Sequence, residues 1–181
     1  MSQQNMLGSA LAEIAGPLKD FFEKIGGEDR EVWFTGFKRF LRKENPWSEP
    51  TGTFIRDMRK EGWTLLENPT RRLTSVSSFE LVPFLRDGED PIGGEEMLRC
   101  ARVELDANYG QEDADFLLKH QVGIPQEFRS YYLVFPATVW RDSYGNRCVP
   151  VLGWYGKRWY LSFSWLEYGW YSSDRLVRPR K

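Results

Sequence analysis

The chain has 181 residues, 41% apolar and 28% charged, with a formal net charge of -1. This describes a globular chain able to bury a core, argues against wholesale disorder and gives no overall pull toward nucleic acid or anionic membrane. Two cysteines and one histidine exclude a disulfide framework and a CxxC zinc site, and leave few routes to nucleophilic catalysis.

No run of about 18 apolar residues is present, so no membrane-spanning helix is expected. The first 22 residues lack a basic start and a continuous apolar stretch, and do not read as a signal peptide. A cytoplasmic setting is the expectation, with Cys100 and Cys148 reduced. Charge is unevenly spread. Residues 1–29 carry net -3, 30–72 net +4, 73–127 net -8 and 128–181 net +6.

Residues 7–25 place Leu7, Leu11, Ile14, Leu18, Phe21 and Ile25 at spacings of four and three, an apolar helical stripe. Pro17 lies inside it and is expected to kink or split the helix. Gly26-Gly27 ends it. This segment, 1–27, reads as an appendage to a single domain over 28–181. Its stripe is too short for a stable coiled coil alone and suits docking against the body or another chain. A second helix is expected over 29–43, capped by Asp29, with Trp33, Phe37, Phe40 and Leu41 on its apolar face. A third is expected over 53–61, with Phe54, Ile55 and Met58 inward and Gly62 as its end.

The pattern turns extended after Arg72, with a β-prone run over 76–85 broken by Pro83. Helices are expected over 94–108 and 111–121. Asp113 and Asp115 lie near the start of the second, where the helix dipole favours negative charge. From residue 130 the chain reads as strands. Asp142 to Asn146 and Tyr155 to Lys157 form hairpin turns. Trp159, Leu161, Phe163 and Trp165 alternate with Tyr160, Ser162 and Ser164 as a half-buried strand. A last strand is expected over 170–177. The fold class is α+β: N-terminal helices, then two helices packed on a mainly antiparallel, aromatic-rich C-terminal sheet.

No phosphate-binding glycine loop occurs, and Glu95 and Glu96 directly after Gly93-Gly94 would repel an anion. No acidic cluster has calcium-loop spacing. No catalytic residue, metal or cofactor is assigned. The leading expectation is a non-catalytic binding protein with a protein partner or a second copy of itself, using Leu7, Leu11, Leu18, Phe22, Trp170 and Tyr171. The alternative is nucleic-acid binding by Lys38, Arg39, Arg42, Lys43, Arg56, Arg59 and Lys60, extended by Arg71 and Arg72, with Trp47 or Trp63 stacking on bases. A third reading is a small hydrolase with a carboxylate site, which a recess holding an Asp or Glu of raised pKa would favour. Exposed aromatics such as Tyr144, Tyr155, Tyr168, Trp170 and Tyr171 could also grip a peptide or sugar.

The run from Lys38 to Trp47 (KRFLRKENPW), SFELV at 78–82, DG at 87–88, DSYGN at 142–146 and DRLV at 174–177 resemble a family of hypothetical proteins of bacterial genomes, candidate-phylum ones included. The resemblance covers roughly residues 38–181. It implies one soluble domain in a bacterial cytoplasm, and it transfers no catalytic residue because the family carries no established activity.

Overall fold

The computed structural model describes residues 15–27, 30–41, 52–69, 73–86 and 88–180. The chain divides into two compact units, Met1–Glu49 and Pro50–Lys181. The second helix falls within the first of these units.

In the N-terminal unit, helix α1 spans 15–25, continuous through Pro17, and ends at Gly26-Gly27. Helix α2 is Arg30–Leu41. The rings of Phe21 and Phe37 meet at 4.9 Å, and Lys24 sits over Trp33 at 4.2 Å. Phe22, Phe34, Phe37, Phe40 and Leu41 are exposed.

The body is a curled, mostly antiparallel sheet, confirming the α+β class. Its strands are β1 (Thr64–Glu67), β2 (Phe79–Val82), β4 (Tyr132–Val134), β5 (Val139–Arg141), β6 (Arg147–Tyr155), β7 (Arg158–Trp165) and β9 (Asp174–Pro179). β3 (Ile92–Gly93) and β8 (Gly169–Trp170) form a separate pair. β6 is the central strand, with β7 along one edge and β5 and β4 along the other. The order continues from β5 to β1, and from β4 to β9 and β2. β9 joins β4 in parallel, while the other pairings among the described strands are antiparallel.

Successive strand residues point to opposite faces, and both faces of this sheet are packed. Val134, Val149, Val151 and Leu176 meet Met97, Leu98 and Ala101 on one side. Leu133, Leu152, Trp159 and Val177 meet Ala114 and Leu117 on the other. The first side carries helix α3 (Gly94–Arg99), the second helix α4 (Gln111–Lys119). A smaller cluster of Phe54, Met58, Leu65, Trp140 and Cys148 continues the core.

Two expected helices are shorter than their sequence pattern. Helix α3 passes into a π turn, Cys100–Glu104, closed by the Leu105 N–H donating to the Cys100 carbonyl at 3.0 Å. Asp106, at φ 52°, then turns the chain away. Over 53–61 only the last part is helical, a 3-10 turn at Met58–Glu61 capped by the Asp57 side chain and ended by Gly62 at φ 80°. Phe54 and Met58 are buried as expected, but Ile55 is exposed.

Candidate functional site

The two-residue turn Gly156-Lys157 sets the register of β6 and β7. It pairs Tyr155 with Arg158 and, two residues further on, Gly153 with Tyr160. On the other side of β6, Leu133 pairs with Leu152, which puts Tyr132 beside Gly153. Directly opposed residues share a face. Tyr132, Gly153, Tyr155, Arg158 and Tyr160 therefore share one face of three adjacent strands, the face that carries α3 further along. The three tyrosines are 39%, 52% and 40% exposed, so the α3 layer leaves them uncovered.

The rings form a connected group. Tyr132 and Tyr155 centroids lie 6.5 Å apart and those of Tyr155 and Tyr160 6.2 Å. The Tyr155 hydroxyl donates to the Tyr132 oxygen at 3.3 Å, and this bond, with burial second, pushes the Tyr155 phenol pKa up. Gly153 makes the group fit: a Cβ there would lie 2.8 Å from Tyr155 Cε2 and 3.2 Å from Tyr132 Cε1. The exposed Arg158 guanidinium lies 4.5 Å from the Tyr160 centroid, a cation–π contact. At the same end of the sheet Arg129 covers Trp154 at 4.0 Å and Arg175 covers Tyr131 at 4.5 Å.

A second feature is a recess of about 440 Å³ lined by Thr53, Phe54, Ile55, Leu73, Glu112, Asp115, Phe116 and Lys119. Glu112 Oε1 accepts the Thr53 N–H and Asp115 Oδ2 the Ile55 N–H, each at 2.8 Å. Burial pushes the Asp115 carboxyl up to about 6 against the pull of the Ile55 N–H and Lys119. Its Oδ1 has no hydrogen-bond partner among the described residues. A hydrolase would draw its acid or base from here, but the visible work of both carboxylates is to hold the recess wall through its backbone.

The residues expected from sequence are dispersed. Leu7, Leu11, Arg42, Lys43, Trp47, Arg71 and Arg72 lie outside the described residues. Leu18 and Phe22 are exposed on α1, and Lys38 lies on α2 near the Phe34 ring. Arg39 is on the same helix. Arg56 pairs with Glu61 at 3.3 Å and Arg59 with Asp57 at 2.8 Å, leaving part of that basic surface neutralised by its own neighbours. Trp63 packs edge-on against Phe163 at 5.4 Å. Trp170 corrects the expected partner surface: at 2% exposure it belongs to the core beneath α3, while Tyr171 beside it is exposed.

Cys100 and Cys148 are free and buried, in the π turn and in β6. Burial pushes the Cys148 thiol up to about 12 and raises that of Cys100. His120 Nδ1 lies 2.8 Å from the Phe116 carbonyl. Among the described residues no three His, Cys, Asp or Glu side chains gather as a metal site requires, and no helix is long and apolar enough to cross a membrane.

Sequence reasoning singled out Tyr155 and set Tyr160 opposite the tryptophans. It missed Tyr132 and Gly153 as their neighbours. The Gly156-Lys157 turn was the signal that could have paired Gly153 with Tyr160. Comparison with protein-family models, curated proteins and solved structures finds no match.

Proposed function

We propose that the protein is a non-catalytic binding protein that holds its ligand on the Tyr132–Tyr155–Tyr160 face. The observation that carries this reading is the exposure of three contiguous phenol rings on the sheet face that carries α3 further along. Tyrosine offers an apolar ring and a polar tip at little cost in side-chain entropy, which suits a ligand surface. The thiols favour a structural part, since burial keeps them in the unreactive neutral form. A reducing cytoplasm suits two buried free thiols.

The test is calorimetric titration of the full chain with an oligothymidylate, a proline-rich peptide and a β-glucan oligosaccharide. Each is repeated with Tyr155→Ala/Tyr160→Ala. Binding of one ligand that the double variant loses, with its thermal midpoint kept, supports the reading. Binding that survives in the variant, or none in either protein, overturns it.

A second reading is docking of another protein chain on the N-terminal unit, favoured by the exposure of Leu18, Phe22, Phe40 and Leu41 on two short helices. Helices of this length draw most of their stability from packing of an apolar face. For self-association, sedimentation of the full chain should show concentration-dependent assembly that Leu18→Asp/Phe22→Asp abolishes. Monomers at all concentrations would remove the second copy as the partner.

A further inference from the structure

We propose that the ligand of the tyrosine face is single-stranded nucleic acid, its bases stacking on Tyr132, Tyr155 and Tyr160 and a phosphate pairing with Arg158. This inference rests on the binding reading above and names its ligand.

Three observations point to this chemistry. The ring centroids are spaced 6.5 and 6.2 Å apart and the rings are inclined at 51° and 58° to one another, so each presents its own face and not a parallel stack. That spacing receives bases splayed apart, as single strands present them, and not bases closed in a duplex. Stacking on aromatic rings tolerates any base, since each has a π face.

The charge around the rings is the second observation. The chain is near neutral overall, and the basic groups at this end of β6 and β7 are Lys157 and Arg158, while Arg141 and Arg147 stand at the far end and Arg178 pairs with Glu80. Arg158 lies on the tyrosine face itself, exposed and against the Tyr160 ring, with no ion pair among the described residues. It can meet a phosphate without first giving up a carboxylate. Lys157 is exposed in the adjoining turn.

The third observation concerns the acids. Asp174 stands opposite Tyr132 on β9, but its Oδ2 accepts the Tyr171 N–H at 2.9 Å. Asp142 and Glu167 belong to the far end of β6 and β7: Asp142 caps the turn before β6, and Glu167 accepts the Arg147 N–H at 3.3 Å. A sugar platform would set carboxylates or amides beside the rings to pair with hydroxyl groups. The polar groups among these rings are phenols, a guanidinium, the Ser162 hydroxyl, which donates to the Val151 carbonyl at 3.3 Å, and the Asp174 carboxylate, which is held by the backbone.

The experiment is fluorescence anisotropy of the full chain with labelled oligothymidylate and oligouridylate of about twelve nucleotides, and with a duplex of equal length, at low and physiological salt. The single strands should bind more tightly than the duplex. Tyr155→Ala/Tyr160→Ala should weaken them about tenfold or more, with an unchanged thermal midpoint. Arg158→Gln should lower the slope of log affinity against log salt by about 0.7, the share of one phosphate on a single strand. Arg56→Gln/Lys60→Gln should change neither. Equal binding of duplex and single strand overturns the inference, as does no binding at low salt. If the strand fails while peptide or oligosaccharide binding is lost in the tyrosine variant, the nucleic-acid inference falls and the binding reading stands. Strand binding indifferent to the tyrosines but lost in Arg56→Gln/Lys60→Gln overturns both.

Discussion

At Gly153 an added Cβ would lie 2.8 Å from the Tyr155 ring, which must turn aside, and 3.2 Å from the Tyr132 ring, which must give by a few tenths of an ångström. Gly153→Val should therefore lower stability by about 1–3 kcal/mol, in the range of an overpacked site, and break the tyrosine group. A lower midpoint in thermal unfolding, together with lost ligand binding, checks both effects. Asp115 carries a different kind of strain. Its carboxyl is pushed up to about 6 by burial, above the ~3.9 of an exposed aspartate. Between these values the folded chain binds more protons than the unfolded one, so stability falls as pH rises from about 4 through 6. Asp115→Asn keeps an oxygen for the Ile55 N–H and removes the buried charge. The variant should flatten the midpoint's dependence on pH over that window and raise stability at pH 7 by about 1–3 kcal/mol. An unchanged pH dependence would show that Asp115 is ionised at no cost.

Among the elements, α4 organises the most of its surroundings. Gln111, at its first turn, is buried; its side chain donates to the Arg56 carbonyl and accepts from Trp140 Nε1, each at 2.7 Å. Its N–H donates to Thr138 Oγ1 at 2.8 Å, and that hydroxyl donates to Asn68 Oδ1 at 2.7 Å. Gln111→Leu leaves a buried indole N–H and a carbonyl unpaired, and should cost about 2–4 kcal/mol in urea unfolding. A loss under 1 kcal/mol would mean that water replaces both partners. The same helix explains the missing turns over 53–57. Residue pattern there favours a helix, yet Glu112 and Asp115 take the Thr53 and Ile55 N–H groups from a point about sixty residues away. Local propensity is a weak prior against such bonds. Helix α3 shows the converse limit. Its apolar spacing continues to Leu105, but the π turn and the left-handed Asp106 end it early, and no residue in that run announces either.

At the scale of the whole molecule, the packing of both sheet faces determines what stays reactive. Cys100 and Cys148 are buried and free, with their thiols raised by that burial. A thiol reagent at neutral pH should modify neither in the folded chain and both after denaturation; rapid labelling of either in native buffer would contradict this packing. Much of the architecture was legible beforehand because it depends on near neighbours. Period-two alternation marked β7, Gly145 and Gly156 marked the turns, and Gly62 marked a helix end, each with a positive φ that only glycine takes cheaply. Tyr160 could be set on the face opposite Trp159 for the same reason. The α+β class, the strand-rich C-terminal half and the local charge of each segment likewise follow from the sequence alone. What required the tertiary structure involves distant partners: the parallel pairing of β9 with β4, the burial of Trp170, the carboxylates of α4 at the 53–57 loop, and the arrival of Tyr132 beside Gly153. Patterns of residues encode which face a side chain takes within its own element. Which element will cover that face, or leave it open for a ligand, is decided by contacts between segments far apart in the chain.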